Sequence, residues 1–154
     1  MGDFPTRILL ATDGSEGADL AASRAVDLAR RTGSELHLVH VGFAPAFLTG
    51  EPGTRGYDRM LLEEIEDEAR ELLRKLSWRV KVAGGTVAGT HLRMGAVDLE
   101  IVALAKEIGT GLIVMGCRGH RGIRRAIEGS ISDGVIRHAP CPVLVVRPEK
   151  EQAA

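Results

Sequence analysis

Aromatic side chains are nearly missing, with Phe, Tyr and Trp together making up 3% of the 154 residues. A core without them has to be built from Ala, Val, Leu and Ile, which suits helices lying close against a buried sheet. Cysteine is as scarce: Cys117 and Cys141 cannot form a disulfide framework, and the 44% hydrophobic content supplies a core without cross-links or metals. No apolar run approaches the roughly 20 residues that span a bilayer, and Met1 to Arg7 lacks a basic-then-apolar leader pattern. The expected location is the cytoplasm, with no membrane partner. An excess of charge is absent too, since 20 basic residues nearly balance 21 acidic ones. No global field therefore draws the chain to nucleic acid. This length predicts one domain over residues 1–148, with 149–154 as a disordered tail.

What is present alternates. Ile8-Leu9-Leu10-Ala11 is a short apolar run ending at Thr12-Asp13-Gly14-Ser15, the pattern of a buried strand and its turn. Helical spacing of Ala18, Ala21, Ala22, Ala25, Val26 and Ala29 predicts a helix from Ser15 to Arg31, stopped at Gly33. Leu36 to Val41 reads as a second strand that empties at Gly42 into a long connection reaching Gly56. From Tyr57 to Val82 the stripe Leu61, Ile65, Ala69, Leu72 and Leu76 predicts a long helix, with Glu66–Arg70 and Glu71–Lys75 as i,i+4 pairs outside. Thr86 to Leu92 reads as a weaker strand, and Val97, Ile101, Leu104, Ala105 and Ile108 as a helix closed by Gly109. Leu112 to Met115 is the clearest buried strand, followed by a loop, a short helix from Ser130 and a last strand, Val143 to Val146. Such alternation predicts a doubly wound α/β domain with a parallel sheet of five strands covered on both faces. Ligands of such sheets bind beyond the carboxyl ends of the strands, which directs attention to Asp13–Ser15 and Gly116–Ser130.

The second of these segments combines glycines with Arg118, Arg121, Arg124 and Arg125, four arginines within eight residues. Glycines after a strand let backbone amides approach an anion, a helix start adds its free N–H groups, and arginines suit a polyanion. Neither G-x-x-x-x-G-K-[ST] nor G-x-G-x-x-G occurs at a strand–helix turn, so standard P-loop and dinucleotide chemistry are not expected. Instead the chain carries Gly116-x2-Gly119-x9-Gly129-Ser130. This resembles the G-2x-G-9x-G-[ST] motif of the ATP-binding branch of the universal stress protein family. The blocks Ile8 to Ser15, Leu112 to Gly116, Ser130 to Ser132 and His138 to Val146 resemble that family in the same order.

The resemblance implies a five-stranded sheet with the first and fourth strands adjacent, bringing Asp13 and the Gly116 loop to one crevice. It implies ATP with Mg²⁺ as the ligand. Asp13 would hold the ribose or adenine end, Val41 would offer backbone groups to adenine, and Gly116, Gly119, Gly129 and Ser130 would line the phosphates. Met115 and Ser132 lie nearby, and Ala11, Thr12, Arg118, His120 and Ile131 complete the implied contacts. A homodimer is implied as well, and the apolar last strand Val143 to Val146 offers an edge for it. One departure is local: Thr110-Gly111 stands where the family often has an acid before the fourth strand.

Other readings compete at several positions. Asp13-x-x-Glu16 and Ser130-x-x-Asp133 also fit helix caps. Cys117, His120, His138 and Cys141 form zinc-like pairs, but a helix of about 12 Å between the two pairs keeps them from one metal ion. His37 and His40 fall on opposite faces of a strand and make no shared ligand pair. With no Ser/His/Asp set and no evident base for a γ-phosphate, the expected role is a regulatory nucleotide-binding module. The alternatives are a dimeric scaffold with incidental nucleotide affinity, or a slow ATPase or autophosphorylating protein using Ser130 or Ser132.

Overall fold

Ile8, Leu9 and Leu10 follow one another with no polar residue between them, and all three are fully buried. Side chains of a strand point alternately to its two sides, so this strand must be covered on both. Ile8 and Leu10 pack with Leu36, Leu38 and Val114 on one side, while Leu9 packs with Val39 and Ile113 on the other. Burying each of these side chains contributes about 1.5–3 kcal/mol, which makes the strand the anchor of both cores.

In the computed structural model residues 4–12, 17–44, 59–116 and 123–147 are described. They form β1 (Arg7–Thr12), α1 (Gly17–Thr32), β2 (Glu35–Phe43), α2 (Arg59–Val82), β3 (Gly89–Gly95), α3 (Val97–Ile108), β4 (Leu112–Gly116), α4 (Ile123–His138) and β5 (Val143–Val146). The sheet order is β3-β2-β1-β4-β5, and every neighbouring pair is parallel. The doubly wound domain and the adjacency of the first and fourth strands are thus both present. α1 lays Ala21, Ala22, Ala25, Val26 and Ala29 on one core, and α3 lays Ile101, Leu104 and Ala105 on the other. Small side chains on α1 let that helix sit close to the sheet, as the shortage of aromatics requires.

The structure moves four expected features. β3 begins at Gly89, not Thr86, and runs to Gly95. Thr86 to Ala88 are an approach segment whose only ladder-like bond is Ala88 N–H to the Leu36 carbonyl at 2.8 Å. β2 extends through Gly42 to Phe43, because β3 pairs with it that far, at Phe43↔Gly95. On α2 the buried stripe is Ala69, Leu73, Leu76 and Val80 while Leu61 is exposed, and Glu71 engages Arg74 at 2.6 Å in place of Lys75. Glu66 does engage Arg70, at 2.7 Å. Fourth, α4 starts seven residues before Ser130, at Ile123. The connection expected from Gly42 to Gly56 lies outside the described residues from 45 onward, as does the tail 149–154.

α3 ends as its glycine requires. Gly109 takes φ 68°, a left-handed conformation that costs a residue with a Cβ about 1–2 kcal/mol. Its N–H and that of Thr110 return to the carbonyls of Lys106 and Ala105. The chain is then turned directly into β4, whose far end is the floor of the candidate site.

Candidate functional site

All five strands point the same way, so their carboxyl ends form one rim. On that rim Ala11 of β1 pairs with Met115 of β4, and Thr12 pairs with His40 of β2. Thr12 and Gly116 are therefore side by side where β1 and β4 end, and Val41 stands one residue beyond the Thr12 level on β2. α1 leaves β1 on one face of the sheet and α4 leaves β4 on the other, as the two separate cores show. The connections diverge at this point of the rim, which in such sheets is the usual ligand position.

The side chains of Ala11, Val41 and Met115 are only 6%, 6% and 5% exposed and belong to the α3 core. What they present to a ligand is therefore main chain. Ile131 packs against the same core from α4, and Ser132 is half-buried beside it. The rim is braced from below by His40, itself buried, whose Nδ1 lies 2.9 Å from the Thr12 carbonyl.

Gly129 and Ser130 are seventh and eighth in α4. The helical main-chain N–H groups at such positions bond to the preceding turn, and only the first four are left for a ligand. Ser130 is accordingly not a helix cap, and the free amides expected there belong instead to the first turn from Ile123, which also contains Arg124 and Arg125. The spacing Ile123, Ala126, Ile127, Ile131 continues the helix backwards from Ser130, while a single interior glycine costs only about 1 kcal/mol. The apparent cap at Ser130-x-x-Asp133 concealed this. Asp13, Cys117, Arg118, Gly119, His120 and Arg121 lie outside the described residues.

Among the described residues no group of three or more His, Cys, Asp or Glu could hold a metal ion. His138 closes α4, its Nδ1 donating to the Gly134 carbonyl at 3.0 Å, and α4 is longer than the expected helix. Cys141 is a half-buried free thiol, and burial raises its pKa.

The universal stress protein family model matches residues 5–147. The chain belongs to the universal stress protein family. A universal stress protein of Staphylococcus haemolyticus is 37% identical over 144 residues, which cover 93% of this chain and 85% of that one. Among solved structures, a universal stress protein in complex with cAMP superimposes with TM-score 0.70 at 27% identity, covering 92% of this chain and 96% of the other. The universal stress protein of Archaeoglobus fulgidus in complex with dAMP gives TM-score 0.67 at 26% identity, covering 94% and 99%. Two structurally similar members of the family thus hold adenine nucleotides. No helix among the described residues is long and apolar enough to cross a membrane.

Proposed function

We propose that this universal stress protein is a cytoplasmic regulatory module that binds ATP at the rim where β1 and β4 end, and acts by binding instead of turnover. The carrying observation is the adjacency of those two strands, which sets the departure points of Asp13 and the Gly116 loop side by side. The adenine nucleotides in the two similar structures support the class of ligand. In this reading Val41, Ala11 and Met115 offer main chain to the base, and Asp13 accepts from a ribose hydroxyl. Gly116 and Gly119, with the first-turn amides of α4, face the phosphates. Gly129, Ser130 and Ser132 line the helix side, and Arg118, His120 or an arginine of the first turn neutralises the charge. Mg²⁺ accompanies the triphosphate, held mainly by phosphate oxygens and water. The active form is a homodimer joined through the β5 edge.

Equilibrium titration of nucleotide-stripped protein with ATP, ADP, AMP and cAMP tests this. ATP should bind, and Gly119→Val should weaken it about a hundredfold, the loss of two charge-assisted hydrogen bonds at about 1.5 kcal/mol each. Equal binding by both proteins removes the phosphate cradle. Phosphate release clearly above buffer background would replace the binding module with a slow ATPase.

A further inference from the structure

Away from the nucleotide rim, two histidines meet across the outer pair of strands. His37 Nδ1 of β2 and His91 Nε2 of β3 are 3.3 Å apart, and the rings stack with centroids 5.5 Å apart and 28° between planes. Space for the stack is provided by Gly89, where an added Cβ would stand 2.9 Å from His37 Nδ1. Among the described residues β3 is an edge strand, hydrogen-bonded to β2 alone. Two imidazoles without a third ligand make a poor cation site, so the chemistry of the pair is that of protons.

The decisive atom is His37 Nε2, which is buried and has no hydrogen-bond partner among the described residues. The tautomer that leaves no buried N–H unmet keeps only a lone pair on Nε2, so in the neutral pair His37 Nδ1–H is assigned as the donor to His91 Nε2. A first added proton has two places that keep the inter-ring bond. On His37 it creates an Nε2–H. On His91 it reverses the bond, so that His91 Nε2–H donates to His37 Nδ1, and His37 must then carry its own proton on Nε2. Either way a donor is buried without an acceptor, which is unfavourable. The remaining route is to break the contact and expose the rings.

We propose that the His37–His91 pair is a proton-operated latch on β3: neutral, it fastens the edge strand to β2, and protonated, it releases it. The surrounding charges do not cancel this. Arg7 of β1 and Glu35 of β2 are paired with each other, as are Arg93 of β3 and Glu107 of α3, so each carboxylate near the rings is already matched by a cation. Burial lowers the pKa of both imidazoles, with repulsion from His37 adding to the effect on His91. Because the folded values lie below the ordinary 6.5, the unfolded or released strand binds more protons in acid. The latch is therefore fully closed above that pH and is lost as pH falls from it through the lowered values.

The test is an NMR titration of the histidine side chains together with amide exchange, corrected for intrinsic rates, at pH 7.5 and 5.5. Both imidazoles should titrate below 6.5, and the amides of Thr90, His91 and Leu92 should lose about tenfold more protection than those of β4, the order expected from one unmet buried donor. A double variant, His37→Asn with His91→Gln, replaces the pair by a non-titrating N–H···O bond and should abolish the excess loss. If it does not fold, the wild-type measurements decide alone. Imidazoles titrating at or above 6.5, or β3 protection falling no further than that of β4, would overturn the latch.

Discussion

His40 Nδ1 is 2.9 Å from the carbonyl oxygen of Thr12, joining the middle of β2 to the last residue of β1. The imidazole is buried, so the bond lies in a low-dielectric setting, and it fixes the main chain one residue before Asp13. His40→Leu should cost about 1 kcal/mol by taking a donor from a partly buried carbonyl, and should weaken the proposed ATP binding as the end of β1 loosens. His40→Asn places its amide nitrogen near the Nδ1 position and should recover most of both. Chemical denaturation and nucleotide titration of the two variants measure this. An Asn variant as weak as the Leu variant would show that ring packing, not the bond, carries the effect.

Thr110 is buried between α3 and β4, and its Oγ1 has no hydrogen-bond partner among the described residues. Val has the same shape without the hydroxyl. Thr110→Val should therefore stabilise the protein, by about 1 kcal/mol, and raise Tm by about 2–4 °C for a domain of this size. A calorimetric scan in which Tm falls would mean that the hydroxyl is hydrated or bonded in solution.

Gly111, the second residue of the Thr110-Gly111 pair that leads into β4, is fitted to its neighbours. Its N–H donates to the Arg7 carbonyl at 2.9 Å, and an added Cβ would stand 2.0 Å from Thr6 Oγ1 and 2.8 Å from Thr6 Cβ. Thr is β-branched and stiff, so the overlap has no easy escape. Gly111→Ala should destabilise by about 1–3 kcal/mol, whereas in a Thr6→Gly background the same change should cost much less. The coupling energy of this double-mutant cycle is the measurement; additive effects would refute the clash.

The residues that made the fold legible were those with simple periodicity. Ile8 to Leu10 and Leu112 to Met115 are continuous apolar runs, and the alanines of α1 repeat at helical spacing, so the alternation of elements and the fold class followed from pattern, whereas the adjacency of the first and fourth strands was implied by the family resemblance. Where two signals overlapped, boundaries moved. Gly129-Ser130 resembles a helix start although the helix is already two turns old, and in β3 Thr-His-Leu-Arg-Met has too little apolar character to stand out from Thr86 to Ala88. Contacts set by register were illegible altogether. His37 and His40 could be assigned to opposite faces by parity, but their partners depend on which residues of β1 and β3 lie opposite. No local signal in the sequence carries that.

β5 is the other edge of the sheet, bonded to β4 alone, and its outward row of N–H and C=O groups offers a template for a second chain. On it Leu144 is 38% exposed, whereas Val146 is buried and Val143 and Val145 pack against the α3 core. Leu144 is thus the side chain that a partner would cover and whose replacement the monomer would notice least. Leu144→Lys adds a charge to the edge, which disfavours pairing of two copies across a two-fold axis, because the like charges meet in the same interface. Wild-type protein should sediment at twice the chain mass of 16.5 kDa, and the Lys variant at the chain mass, with stability within about 0.5 kcal/mol of wild type apart from the dimer's own contribution. A variant that remains dimeric would move the interface away from β5.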